Sequence, residues 1–585
     1  MSKLREQIEL KHERVDDLPL LLGLLEQLQL GKLLDAYLGR HHLHKGLSNG
    51  ELGCVWLAFL LSEGDHRKVA VQPWALKRQH MLQTLLRHPL RDTDFTDDRL
   101  AILLRRLART DWDRCEAALW QASFSVYQLP VTSVRLDATT FSGYHTVTPD
   151  GLMQRGHSKD HRPDLAQFKL MAAAAQPHGH ILACDIASGE KPDDPLYTPL
   201  IKRTRRLLNR SGLLYVGDCK MAALATRADV VNANDYYLTI LPMTGETAKQ
   251  FHTWIETALA QRDKLVALSY KPNEEEVHLG HGYEWTRECQ DKVGERMVTW
   301  QERVQLIRSP NLFEAQCEYL ETRLRRASEA LKALTPAPGP GRRVYREAAT
   351  LEAAVTQVLQ KNEVTDLLTV SWQEHKQIRE RYVGRGRGGA NRQRVQEVKL
   401  RYEVTDVKRQ EEAIEASKQR LGWRGQVTNV AADKMSLLNC VLTYREGWSL
   451  ERDFHLVKDR PLGICPLHLE NEEQIVGMTR FLTIGLRVLT WMEIRVREEL
   501  RNRKEKLAGL YEGQPKRLTN MPTAVRLLRA VGRLELTLTR VTTPTEQAWH
   551  FPTLPDLLLK VLDLLGLPSS LYTRLTEKAA PPPPA

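Results

Sequence analysis

The stretch Ser133-Val134-Arg135-Leu136-Asp137-Ala138-Thr139-Thr140-Phe141 reads as a short strand with an aspartate inside it. Downstream, the apolar run Leu213-Leu214-Tyr215-Val216-Gly217 ends on Asp218, and the helix-like Met221–Ala225 follows. An aspartate at the tip of a buried parallel strand lies at the carboxyl edge of its sheet, where α/β folds place their sites. Between the two aspartates, Lys169–Ala175 and Ile181–Ile186 are apolar stretches split by Gln176-Pro177-His178-Gly179, a hairpin signal. An amphipathic helix is expected over Pro195–Asn209, and a further strand over Tyr236–Leu241.

A third carboxylate stands in Tyr444-Arg445-Glu446-Gly447-Trp448-Ser449-Leu450-Glu451-Arg452-Asp453-Phe454-His455-Leu456-Val457-Lys458. At 3.6 residues per turn, Tyr444, Trp448, Glu451, His455 and Lys458 fall on one helical stripe. A solvated charged helix face has the same composition, and the two upstream aspartates set this one apart. The order is strand with Asp, hairpin, helix, strand with Asp, helix, strand, long insertion, helix with Glu. That is the order of an α/β, ribonuclease-H-like core: a mixed sheet with helices, interrupted by a large insertion.

In these residues the chain resembles the DDE transposases of bacterial insertion sequences, in the insertion-sequence-four group with its Tyr-Arg-Glu-Lys signature. Asp-Ala-Thr-Thr-Phe at 137–141, Gly-His-Ser-Lys-Asp-His-Arg-Pro-Asp-Leu at 156–165 and Gly-Trp-Arg-Gly-Gln-Val-Thr-Asn at 422–429 also resemble that group, and the likeness covers most of residues 1–560. It implies Asp137, Asp218 and Glu451 as catalytic residues and ligands of two Mg2+ ions, with Mn2+ as a substitute. It implies Tyr444, Trp448, Lys458 and Arg445 as DNA contacts, with Trp448 either stacking on a flipped base or packing in the core. The signature's arginine position is Gly447, and Arg445 lies about 200° away round a helix, so one phosphate contact is in doubt.

The chemistry agrees with those residue types. Phosphodiester transfer needs an activated attacking oxygen and a stabilised leaving oxygen, and a pair of divalent ions supplies both. Magnesium prefers hard oxygen ligands and few protein carboxylates. The implied activity is binding of terminal inverted repeats, metal-dependent DNA cleavage and strand transfer by a homodimer on double-stranded DNA. A non-catalytic DNA-binding relative and a nuclease without strand transfer are the alternatives.

Composition is consistent with a polyanionic partner: 585 residues carry a net charge of +11. Basic clusters occur at Lys202–Arg206, Arg323–Arg326, Arg342-Arg343, Gly384–Gly389 and Arg501–Lys504, each either a DNA contact or a solvated surface. In Ser158–Asp164, Lys159 and Arg162 either hold DNA or brace a hairpin. The eight cysteines form no Cys-x-x-Cys pair, so neither a zinc site nor a disulfide framework is indicated. His41-His42-x-His44 reads as surface histidines. No secretory pattern or membrane-length apolar stretch is read, and a cytoplasmic location is expected.

Residues 1–130 read as an all-helical N-terminal domain, with helices over Leu18–Leu38, Leu43–Ser62 and Arg99–Tyr127. It is a candidate for DNA-end binding or dimerisation, or a structural cap. Residues 131–242 are the first part of the core and 243–420 the insertion, with helices over Ala315–Leu334, Ala349–Gln360 and Asp406–Gln419 and a Pro/Gly linker at 335–341. Residues 421–490 return to the core, with a strand at Gln426–Val430 and an apolar helix around Ile475–Trp491. Residues 491–585 are read as helical, ending in a proline-rich, disordered tail.

Overall fold

The computed structural model describes residues 8–39, 45–127, 129–159, 162–272, 275–337, 339, 342–383, 393–459, 462–465, 467–544 and 546–577. His41, His42 and His44, Asp160 and His161, Gly384–Gly389 and the tail at 579–585 lie outside them. The chain divides into two compact units: Met1–Thr239 with Glu288–Trp300 and Asn439–Ala585, and Ile240–Arg287 with Gln301–Leu438.

The first unit opens with a strand, β1 (Glu9–Arg14), where only helices were expected. Helices α1 (Leu18–Gln27) and α2 (Leu30–Leu38) replace the single helix read over 18–38, because Gln29 turns left-handed at φ 52°. Next come α3 (Asn49–Glu63), α4 (Lys68–Leu76), α5 (Gln79–Leu86), α6 (Asp97–Arg109) and α7 (Trp112–Tyr127). Helix α3 starts at Asn49, later than expected, because Ser48 and Glu51 close a reciprocal capping box.

The sheet that follows holds β2 (Ser133–Gly143), β3 (Ala166–Gln176) and β4 (His180–Ser188), then α8 (Asp194–Leu208), β5 (Leu214–Gly217), α9 (Leu224–Asn232) and β6 (Tyr236–Ile240). Its strand order within this unit is β4-β3-β2-β5-β6. The β2-β3-β4 meander is antiparallel, while β5 runs parallel to β2 and β6 parallel to β5. This mixed α/β sheet is compatible with a ribonuclease-H-like core. Every residue of β3 is buried, so the sheet is covered on both faces at that strand.

The second unit contains α10 (Gly245–Ala260), β7 (Val266–Tyr270), β8 (Val277–Val293), β9 (Arg296–Arg308), α11 (Pro310–Leu334), α12 (Ala348–Lys361), β10 (Leu368–Tyr382), β11 (Arg394–Arg409), α13 (Glu411–Gln419) and β12 (Trp423–Thr428). The tips of β8 and β9 belong to the first unit. The long strands were not read from the sequence, since charged alternation resembles a charged helix. Residues 406–409, expected as helix, continue β11, paired at Asp406 with Ser371. Helix α13 begins only at Glu411, with two acids in its first turn. Leu320, Leu324 and Leu331 of α11 meet Leu351, Val355 and Leu359 of α12 in a core of their own.

The chain then forms α14 (Leu437–Arg445), α15 (Trp448–Lys458), α16 (Glu472–Asn502), α17 (Ala524–Gly532), β13 (Thr537–Thr542), β14 (Gln547–His550), α18 (Asp556–Leu565) and α19 (Ser570–Thr573). Helix α16 is long and apolar enough to cross a membrane by composition, yet 89% of its apolar window is buried inside the fold. It is the central core helix, and α6 packs so closely on it that a Cβ at Gly477 would run into the Leu104 carbonyl. Strands β13 and β14 correct the all-helical reading of the C-terminal region. Strand β1 pairs with β13 from Glu9↔Thr542 to Arg14↔Thr537, so both ends of the chain share one sheet.

Candidate active site

The parallel register of β2 and β5 sets Val134 beside Tyr215 and Arg135 beside Val216. Asp137 lies two residues beyond Arg135 on β2, and Asp218 two residues beyond Val216. Asp218 directly follows the last residue of β5, at the carboxyl end of that strand. The charge of Asp218 acts on Asp137, and like charges raise a carboxyl's affinity for its proton.

Burial raises the Asp137 carboxyl above its ordinary value; Lys159 and the Ala138 N–H oppose that shift, and the charges of Asp218 and Glu451 add to it. The side chain still keeps 29% of its surface open. The Lys159 ammonium stands 3.6 Å from Asp137 Oδ1 and donates to the Ala138 carbonyl at 2.5 Å. Asp193 lies 3.9 Å from Lys159 and accepts from Lys169 at 2.6 Å. Asp218 accepts from the Tyr197 hydroxyl at 2.7 Å. Burial first, then the charges of Asp218 and Asp137, push that phenol well up, so it stays protonated and donates.

Glu451 lies exposed in the first turn of α15, favourably placed against the helix dipole. Helix α15 buries Ser449, Leu450, Phe454 and Val457 and packs against β2 and α16. That packing brings Glu451 within electrostatic reach of Asp137. Among the described residues, no group of three or more His, Cys, Asp or Glu side chains is placed so as to hold a metal ion. Asp137, Asp218 and Glu451 carry the hard oxygen donors that magnesium prefers, without converging on one three-ligand set in this structure.

The single stripe expected from Tyr444 to Lys458 is corrected: two helices meet at Glu446-Gly447, so Tyr444 and Arg445 end α14 while Trp448, Glu451 and Lys458 lie on α15. Trp448 is 55% exposed, which removes the core-packing reading, and the Arg452 guanidinium sits 5.5 Å from its ring centroid. The Lys458 ammonium lies 5.8 Å from the ring of Phe141 on β2. Beside Gly447 stands a guanidinium after all: Arg135 of β2, whose Nη1 would be 2.7 Å from a Cβ there.

The sequence reading missed Arg135, Tyr197 and Asp193, which enter the site from a strand, a helix and a turn with no motif of their own. Among the described residues of the 158–164 segment, Lys159 reaches Asp137, while Arg162 forms a two-pronged pair with Asp164. Within the basic run 202–206, Arg203 pairs with Glu116 and Asp185 and Arg205 with Asp235, while Lys202, paired with Asp229, and Arg206, near Asp113, stay exposed.

No family model matches the chain, and no curated protein matches it. Among solved structures, the cryo-EM structure of a piggyBac transposase synaptic complex with hairpin DNA aligns with a TM-score of 0.34 and 9% identity, over 90% of this chain and 82% of that chain. A likeness of that size bears no argument about this chain.

Proposed function

We propose that the chain is a DNA transposase of the insertion-sequence type, transferring phosphodiesters at Asp137, Asp218 and Glu451. One observation supports the reading: Asp137 on β2, Asp218 just past the end of the neighbouring parallel strand β5, and Glu451 on α15, which packs against β2, lie near enough that the charges of Asp218 and Glu451 act on Asp137. The sequence resemblance supports it independently. Mg2+ or Mn2+ ions held by these three side chains would activate the attacking oxygen and stabilise the leaving one.

In this reading the protein's own groups orient and balance charge. Lys159 offsets the negative cluster and Tyr197 fixes the rotamer of Asp218. Lys458, Tyr444 and Arg445 contact DNA phosphates, and exposed Trp448 offers a ring for base stacking. Two transposon ends held together call for two copies of the chain.

The test is Mg2+-dependent nicking of DNA carrying candidate terminal repeats, with Asp137→Ala as control, followed by transfer of a pre-cut end into a plasmid. Nicking with transfer supports the proposal. Nicking without transfer makes the chain a nuclease, and binding without either makes it a non-catalytic relative.

A further inference from the structure

The break between α14 and α15 has its cause in strand β2. In a continuous helix the carbonyls of Thr443 and Tyr444 accept from the amides of residues 447 and 448. Here both accept from Nη2 of Arg135, at 2.9 and 2.6 Å. A side chain inserted into the hydrogen-bond ladder is a standard source of a helix kink. Arg135 is only 8% exposed, and its guanidinium lies 5.4 Å from the Tyr444 ring centroid.

Gly447 completes the arrangement. Its φ of −61° and ψ of −16° are open to any residue, so conformational freedom does not explain the glycine. Space does: a Cβ would stand 2.7 Å from Nη1 and 3.0 Å from Cζ of Arg135. Arg135 and Asp137, two apart on one strand, point to the same face of the sheet. Glu451 follows Gly447 by one helical turn. One guanidinium therefore ties the strand of the first carboxylate to the helix junction that aims the last.

We propose that Arg135 is a positioning residue: by taking two carbonyls of α14 and filling the space over Gly447, it breaks the helix there and sets the rotation of Glu451 toward Asp137. This rests on the reading of the three carboxylates as a cation and phosphodiester site. A simple cap on the end of α14 would stabilise the helix without that consequence.

The experiment compares full-length wild type with Arg135→Ala/Gly447→Ala, using thermal unfolding, Mn2+ binding by calorimetry and DNA nicking. The double variant removes both the inserted side chain and the need for glycine, and alanine favours a continuous helix. The expected result is a Tm within a few degrees of wild type, with Mn2+ affinity and nicking each down by about 10–100-fold, as for residues that orient metal ligands. A double variant that binds Mn2+ and nicks like wild type overturns the inference and leaves the proposed function standing. Absence of Mn2+ binding and nicking in the wild type overturns the function and the inference with it. If the double variant does not fold, Arg135→Lys replaces it, keeping the charge but losing the planar fork. A several-fold loss of Mn2+ affinity at unchanged Tm then supports the inference, and wild-type affinity overturns it.

Discussion

Single carboxylates in this protein are held at a cost that function can explain. Asp137 is pushed above its ordinary value, burial first, so the folded state binds its proton more tightly than the unfolded chain does. The sign follows: its contribution is most favourable below about pH 4 and is lost as pH rises through the folded value. Asp137→Asn is expected to stabilise the metal-free fold at pH 8 by about 0.5–2 kcal/mol and, assayed separately with Mg2+, to abolish nicking. Unchanged or lowered stability on denaturant titration would contradict a burial cost at Asp137. Asp17 offers the same logic away from the site. Burial pushes it up to about 7, against a 2.6 Å hydrogen bond from the Ser62 hydroxyl. Stability should therefore fall as pH rises from about 4 to about 7, with a slope from this group of at most about 1.4 kcal/mol per pH unit. Asp17→Asn should flatten that slope in urea melts taken across the range.

Elements formed where local signals were strong, and failed to match expectation where a distant group intervened. The capping box at Ser48 and Glu51 starts α3 by local chemistry alone. Ser48→Ala should cost about 1 kcal/mol, read as a shift in the urea midpoint with unchanged activity. The hairpin of β3 and β4 and the parallel strands ending near Asp218 were legible because apolar runs and turn residues mark them. The α14–α15 break was not. Its cause, Arg135, lies some three hundred positions upstream, and periodicity over 444–458 reports only which side chains a straight helix would align. The strands β10 and β11 escaped for a different reason. They are mostly exposed on both faces, so no apolar alternation betrays them.

At the scale of the whole molecule, the two ends of the chain complete one core. The Tyr572 hydroxyl donates to the Asp16 carbonyl at 2.8 Å, and Leu571 packs against Gly23. Removing residues 567–577 takes away the buried Leu567, Leu571, Tyr572 and Leu575. At about 1.5–3 kcal/mol for each fully buried side chain, the loss rivals the whole stability of a typical domain. The truncated chain should lose cooperative unfolding, with rapid hydrogen exchange over 18–63; a cooperative melt near the wild-type temperature would show that the N-terminal helices stand alone. The sequence by itself determined the residue types that carry the chemistry and the local strands and helices that bear them, because hydrophobic period, caps and turns act over a few residues. Only the tertiary structure decided that β5 runs parallel beside β2, that Arg135 breaks the helix before Glu451, and that β1 pairs with β13. Strand register and long-range packing depend on partners far along the chain, which no local pattern encodes.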